Sequence, residues 1–142
     1  MMYNSRIMTH EVVAALIVQS QMILLGKRSP ERLMYPGVWD LFGGHMEPGE
    51  ERQHTLVREL QEELDITPTQ WTFLETIRMP LPAPDDELIA HLYLVREWTG
   101  TPVNRQPEEH SEIRWLSLAQ AVDLPLAHPV YSALFTRVLN GK

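Results

Sequence analysis

Residues 43–67 read GGHMEPGEERQHTLVRELQEELDIT and join a glycine-rich turn to the strongest helix pattern in the chain. The part from Glu51 to Leu64 contains no glycine or proline and is rich in good helix formers, which predicts a helix. Leu56, Leu60 and Leu64 recur at helical spacing, so they predict one apolar stripe. The stretch therefore predicts a loop that leads into an amphipathic helix.

The same helix carries an unusual cluster of acidic residues. At about 100° per residue, Glu59, Glu62 and Glu63 project within an arc of roughly 100°. Like charges at this spacing repel each other, and the helix contains no lysine, so we expect a cation beside them. Magnesium is usually held by a few carboxylates together with substrate phosphates. We interpret Arg58 and Glu50 as a pair that orients these carboxylates.

The turn before the helix favours the same chemistry. Gly43 and Gly44 allow a close backbone approach that a side chain would block. The dipeptide Pro48-Gly49 predicts a turn that brings the chain back before the helix starts. A carbonyl of Gly44 could then face the same cation. Together, the loop and the helix form a unit able to hold a metal ion and a pyrophosphate.

The segment resembles the Nudix box, G-x5-E-x7-R-E-U-x-E-E-x-G-U, in which U is aliphatic. Eight of its nine specified positions are filled, by Gly44, Glu50, Arg58, Glu59, Leu60, Glu62, Glu63 and Ile66. With ordinary amino-acid frequencies, this agreement would arise by chance about once in 10⁷ start positions. The departure is Asp65, where the family has a glycine that ends the helix. Since Asp tolerates a left-handed conformation at some cost, we expect a slightly strained helix end.

The resemblance implies an α/β fold, an α/β/α sandwich with a mixed β-sheet, and a hydrolase that uses Mg²⁺ or Mn²⁺. It implies that the metal ligands are Glu59, Glu62, Glu63 and the Gly44 carbonyl, and that Glu50 and Arg58 support catalysis. The water proton must pass to a glutamate, for which the candidates are Glu59, Glu62 and Glu112. The segment containing Glu112, residues 108–115, resembles the corresponding part of MutT-like members.

Several other residues are candidates for substrate contacts, in addition to Gly43 and Gly44. Lys27 and Arg28 could bind phosphates, or they could be edge-strand charges that discourage aggregation. Trp39 could stack on a base, although packing in the core is the favoured interpretation. Four histidines form no recognisable metal-binding pattern, and most of them are expected on the surface. They are His45, His54, His110 and His128.

The rest of the chain predicts further strands and two helices. We expect strands over 11–18, 22–25, 38–42, 71–78, 88–98 and 113–116, and helices over 117–121 and 129–139. Loops are predicted over 29–37, 79–86 and 99–109. This order favours a mixed sheet with helices on its faces.

Composition limits the classes of function. A formal charge of −7 argues against a nucleic-acid-coating surface or a basic membrane patch. The absence of cysteine excludes a disulfide scaffold, a zinc–thiolate site and a cysteine nucleophile. Residues 1–142 fit one domain, and Met1–His10 lacks the features of a targeting segment, so a cytoplasmic location is expected.

The predicted activity is hydrolysis of a nucleoside diphosphate derivative, foremost a nucleoside triphosphate cleaved to the monophosphate and pyrophosphate. ADP-ribose or another nucleoside diphosphate sugar is the alternative substrate. A non-catalytic nucleotide-binding module is the alternative of a different class. A box-bearing isomerase acting on an isoprenyl diphosphate is excluded because that family relies on a catalytic cysteine. The sequence leaves open whether the protein is a monomer or a homodimer.

Overall fold

A computed structural model describes residues 9–32, 35–81 and 86–140 of the chain. The predicted loops over 29–37 and 79–86, and the amino-terminal segment Met1–His10, fall partly outside these ranges. Within them, no helix is long and apolar enough to cross a membrane.

The chain starts with the predicted hairpin, formed by β1 (Thr9–Gln19) and β2 (Met22–Arg28). Its turn residues Ser20 and Gln21 both have positive φ, 53° and 62°. Two residues of this kind match the right-handed twist of the flanking strands. The prediction of this hairpin is confirmed.

The single strand predicted over 38–42 is wrong: two short strands take its place, β3 (Trp39–Asp40) and β4 (Phe42–His45). β3 pairs with β2, whereas β4 pairs with β1. The cause is that β1 and β2 pair only near their turn and then part, so residues 39–45 fill the gap between them. This arrangement brings Gly43 and Gly44 into the middle of the sheet, opposite Val13 and Ala14.

The predicted acidic helix is present as α1 (Arg52–Leu64). Its leucine stripe is fully buried, with Leu56, Leu60 and Leu64 at most 1% exposed. Asp65 follows in the left-handed conformation, at φ 61° and ψ 35°, and its N–H bonds back to the last turn. The helix end expected from the sequence is therefore confirmed.

The second half of the chain supplies longer strands than predicted and two helices. The strands are β5 (Thr67–Pro80), β6 (Glu87–Thr99) and β7 (His110–Leu116). The helices are α2 (Leu118–Val122), which Ser117 and Gln120 begin with a capping box, and α3 (Val130–Asn140). The strands were predicted from the alternation of apolar and polar residues, and this alternation fades near the loops, so the predicted strands ended too early.

The strands form one mixed sheet in the order β3-β2-β1-β6-β5, with β4 also paired to β1 and β7 to β2. β1 runs parallel to β6 and antiparallel to its other partners. Successive strand residues face opposite sides. Ala15 and Ile17 pack in the cluster that contains α1, and Leu16 and Val18 pack in the cluster that contains α3. The predicted α/β/α sandwich is confirmed.

Candidate active site

A cavity of about 400 Å³ opens beside β4 and α1. Its wall contains two groups of charged and polar side chains. The first group, the helix carboxylates, consists of Glu59, Glu62 and Glu63 and lies with Gly43, Gly44 and Arg58. The second, the Asp40 cluster, consists of Arg28, Tyr35, Asp40 and Tyr131. One cavity is therefore lined by a group of carboxylates and by a second, half-buried polar cluster.

Arg58 is held by two hydrogen bonds to one carboxylate. Its Nε and Nη2 donate to the two oxygens of Glu50 at 2.8 and 2.9 Å. Thr55 Oγ1 and the Glu47 N–H also donate to Glu50, at 2.7 and 2.9 Å. These bonds, chiefly those from Arg58, hold the pKa of Glu50 well below its usual range. Glu50 therefore stays ionised and fixes the direction of the guanidinium.

The remaining nitrogen of Arg58 faces the helix carboxylates. Its Nη1 lies 2.9 Å from Glu59 and 3.4 Å from Glu62. Arg58 thus supplies part of the positive charge that the acidic face requires. The expected association of Arg58 with Glu50 and with the acidic residues agrees with this geometry.

Among the residues that the structure describes, Glu63 is buried without such a cationic partner. Its side chain is 4% exposed, and its Oε1 accepts the Gly43 N–H at 3.1 Å. Burial, followed by the charges of Glu59 and Glu109, raises the pKa of Glu63 well above its usual value. Burial also raises the pKa of Glu59, against the opposing effect of Arg58. Both carboxylates resist ionisation in the absence of a cation. A bound cation beside them would therefore favour their charged forms.

The two glycines are required by packing. A Cβ on Gly44 would overlap the carboxylate of Glu59. A Cβ on Gly43 would overlap the carbonyl oxygen of Val13 on the paired strand. Glycine at both positions therefore lets α1 bring its carboxylates directly against the sheet.

The residues present fit a hard divalent cation. The carboxylates of Glu59, Glu62 and Glu63 offer oxygen ligands on one wall of the cavity and carry excess negative charge. One of them, Glu63, is buried. Within the described ranges, no three acidic or histidine side chains are close enough to enclose an ion alone. Other positions would fall to water, a backbone carbonyl or substrate phosphate, as is usual for Mg²⁺.

The Asp40 cluster lines the same cavity and is held by its own hydrogen bonds. Asp40 Oδ1 accepts the Leu41 N–H at 2.7 Å and the Tyr131 hydroxyl at 2.9 Å. Arg28 Nη1 lies 3.6 Å from the other oxygen. Burial raises the pKa of Asp40, and burial with the nearby Asp40 charge raises that of Tyr131 well above 10.0. Sequence reasoning missed both residues, although one acid within the apolar stretch Val38–Phe42 was an available signal.

The sequence matches the family model of the NUDIX domain over residues 8–138, which is most of the chain. This chain belongs to the NUDIX family. The chain is 36% identical over 117 residues to the CTP pyrophosphohydrolase of Escherichia coli (strain K12), covering 82% of both proteins. It is 35% identical over 115 residues to the nucleoside triphosphatase NudI of Enterobacter sp. (strain 638), covering 75% of this chain and 80% of that relative.

Solved structures agree with this assignment. The MutT NUDIX hydrolase from Burkholderia pseudomallei superposes with a TM-score of 0.79 at 28% identity, covering 89% of this chain and 95% of that one. The resemblance to MutT-like Nudix hydrolases is therefore confirmed. The chain is a hydrolase of the class that acts on acid anhydrides.

Four residues predicted for the Nudix site do not line the cavity: Glu50, which binds Arg58, together with Lys27, Trp39 and Glu112. Lys27 is paired with Trp39 on one side and Glu112 on the other, so the three side chains share one face of the sheet. Trp39 is 4% exposed in the core, and Glu112 forms an ion pair with Arg114. Of the predicted basic pair only Arg28 reaches the cavity, because neighbouring residues of a strand face opposite sides.

The structure brings Glu109 to the cavity instead of Glu112. Glu109 precedes β7, and its Oε1 accepts from Arg32 Nη1 at 3.4 Å. Its neighbour His110 also lines the cavity and is 4% exposed, so it is the exception to the expectation that most of the four histidines lie on the surface. The ring packs on Phe42 at 5.0 Å, and burial lowers the pKa of His110 to about 4. The sequence identified this segment, but it could not show where the loop ends and the strand begins.

Proposed function

We propose that this Nudix hydrolase cleaves the pyrophosphate linkage of a nucleoside triphosphate to give the monophosphate and pyrophosphate. The observation that carries the proposal is the shared cavity of the helix carboxylates and the Asp40 cluster. Its volume of about 400 Å³ falls within the usual range of small-molecule sites. Phosphates would lie against the helix carboxylates and Arg28, and the nucleoside against Tyr35, Asp40 and Tyr131. We also propose that residues 1–142 act as one domain.

Glu59, Glu62 and Glu63, with the Gly44 carbonyl, are the proposed ligands of Mg²⁺, or alternatively of Mn²⁺. A bound divalent cation would lower the pKa of water and offset charge that develops on phosphate oxygens. The residues of the chain support this chemistry by position. Glu50 and Arg58 hold the carboxylates in place, and Gly43 anchors the Glu63 carboxylate through its N–H.

Glu109 is the proposed acceptor of the water proton. It is a carboxylate in the cavity, close enough to Glu59 and Glu63 to affect their ionisation. Glu59 and Glu62 are alternative proton acceptors, whereas Glu112 is disfavoured by its ion pair outside the cavity. Arg28 and Arg32 also line the cavity and are the proposed contacts for phosphate oxygens.

The names of the relatives favour a triphosphate over the alternative substrates. One is called a CTP pyrophosphohydrolase and the other a nucleoside triphosphatase. We therefore propose a (d)NTP here, with ADP-ribose or another nucleoside diphosphate sugar as the second candidate. A non-catalytic binding role is disfavoured, since all four glutamates of the box are present.

A substrate panel tests the proposal. Canonical and oxidised nucleoside triphosphates, ADP-ribose and nucleotide sugars are incubated with Mg²⁺ or Mn²⁺, and products are resolved by chromatography. We expect monophosphate and pyrophosphate, no turnover after chelation, and a loss of at least about 100-fold in Glu62→Gln and Glu63→Gln. Glu51→Gln, an exposed change at the start of the same helix, is the matched control. Wild-type rates in both box variants would refute the assignment.

A further inference from the structure

The loop over residues 100–109 is fastened to the end of the helix that carries the carboxylates. The Val103 N–H donates to Leu64 O and the Arg105 N–H to Glu63 O, both at 3.0 Å. The last carbonyls of a helix have no hydrogen-bond donor within the helix, and here the N–H groups of the loop donate to them. At its start, Gly100 (φ 98°) passes so close to the Asp65 carbonyl that a Cβ would lie 2.9 Å from the oxygen. The first half of the loop therefore has a defined position relative to α1.

The second half is closed by one side chain, Asn104. Its Oδ1 accepts the Gln106 N–H at 3.3 Å, and its Nδ2 donates to His110 O at 2.8 Å. Only this orientation of the amide satisfies both partners, because an N–H must donate and a carbonyl must accept. Gln106 O in turn accepts the N–H groups of Glu109 and His110, at 2.9 and 3.0 Å. The side chain of Asn104 thus joins both ends of the turn that carries Glu109.

We propose that Asn104 is a positioning residue that sets the place of the Glu109 carboxylate relative to the carboxylates of α1. The inference rests on the proposed function, in which Glu109 accepts the water proton. The Glu109 backbone also bonds to Ser29 through its carbonyl at 2.9 Å, which ties it to the end of β2. Asn104 lies next to Val103 and Arg105, the residues whose N–H groups tie the loop to α1. It therefore links the helix-bound half of the loop to Gln106 and His110, which lie on either side of Glu109.

The side chain required at this position is narrowly defined. Alanine would remove both hydrogen bonds. Aspartate would keep an acceptor for Gln106 but would set a charged oxygen against the His110 carbonyl. Because a displacement of about 1 Å near the reacting atoms can cost about 100-fold in rate, loss of this bridge should reduce turnover even when the domain stays folded.

A double-mutant cycle separates positioning from a general structural role. The variants are Asn104→Ala, Glu109→Gln and the combination, measured with the nucleotide and metal that wild type turns over best in the substrate panel. We expect Asn104→Ala to lower kcat by at least about 10-fold with a small change in KM. In the Glu109→Gln background, the same change should alter kcat less than about twofold, because the group it positions is already disabled.

Two controls accompany the cycle. Arg105→Gln lies in the same loop, keeps the backbone N–H and removes only an exposed ion pair with Asp65 at 3.5 Å, so near wild-type kcat is expected. Glu108→Gln is the control for Glu109→Gln, because Glu108 is exposed beside it. If Asn104→Ala lacks a cooperative unfolding transition, Asn104→Asp replaces it in the same cycle, since aspartate retains the acceptor for Gln106.

The outcomes are distinguishable. An equal fold-loss from the Asn104 change in both backgrounds would overturn the positioning role. Wild-type kcat in Glu109→Gln would also overturn it, while leaving hydrolysis by the box residues intact. Absence of turnover by wild type on the whole panel would overturn the proposed function itself, and the inference with it.

Discussion

Replacing Glu63 with glutamine should stabilise the metal-free protein while it abolishes turnover. Glu63 is 4% exposed, and burial with two neighbouring acids raises its pKa well above the usual value. A carboxyl group whose pKa is raised on folding binds protons more tightly in the folded state. Its contribution to stability is therefore present below the unfolded pKa and is lost as pH rises through the folded pKa.

The magnitude follows from this linkage. Each tenfold shift in the protonation equilibrium corresponds to about 1.4 kcal/mol. Glutamine keeps an oxygen that can accept the Gly43 N–H but carries no charge, so Glu63→Gln should gain at least about 1 kcal/mol at neutral pH. For a chain of this size, that corresponds to a Tm increase of roughly 3 °C.

Thermal unfolding with a chelator measures the effect, at neutral pH and at an acidic pH near the ordinary glutamate pKa. We expect the difference between variant and wild type to shrink on acidification, since the folded wild-type carboxyl is then protonated and no longer carries a buried charge. Added Mg²⁺ should reverse the order, because a ligand at 100 times its Kd stabilises by about 2.7 kcal/mol and the variant binds it less well. A variant that is less stable than wild type in chelator at neutral pH would refute the reasoning.

Three further changes have defined outcomes. Gly44→Ala should lower kcat by at least about 10-fold with the fold retained in circular dichroism, because the added methyl displaces Glu59; wild-type kcat would contradict this packing. Tyr131→Phe should cost about 1–3 kcal/mol in urea unfolding, since Asp40 loses a buried donor, and a neutral change would show that water replaces it. Asp65→Gly should raise stability in urea unfolding by up to about 1 kcal/mol by relieving the left-handed conformation, and a loss of stability would show that the exposed ion pair with Arg105 outweighs this strain.

Local features of the site were predictable because they depend on residues close in sequence. The leucine stripe, the acidic face and the proximity of Arg58 to Glu50 follow from helical spacing and a short preceding loop. Asp65 ends α1 as expected, because it stands at the position where the box has the glycine that ends the helix. The hairpin of β1 and β2 was predicted for the same reason, since its turn is only two residues long.

Features that depend on contacts between distant segments were not predictable. The split of the third strand arises where β1 and β2 part, which no pattern in residues 38–42 records. The bond from Tyr131 to Asp40 joins residues 91 positions apart. Glu109 reaches the cavity because the loop docks on α1, whereas Glu112 is committed to a strand pair.

The sequence by itself determined the family, the layered fold and the acidic face of α1, because periodicity and motif spacing are short-range properties. Only the tertiary structure decided which of the charged residues share a cavity, and that Glu63 is desolvated among them. Burial and strand facing are set by the packing of many segments at once, so neither the pKa of a carboxylate nor its role can be read from its neighbours in sequence.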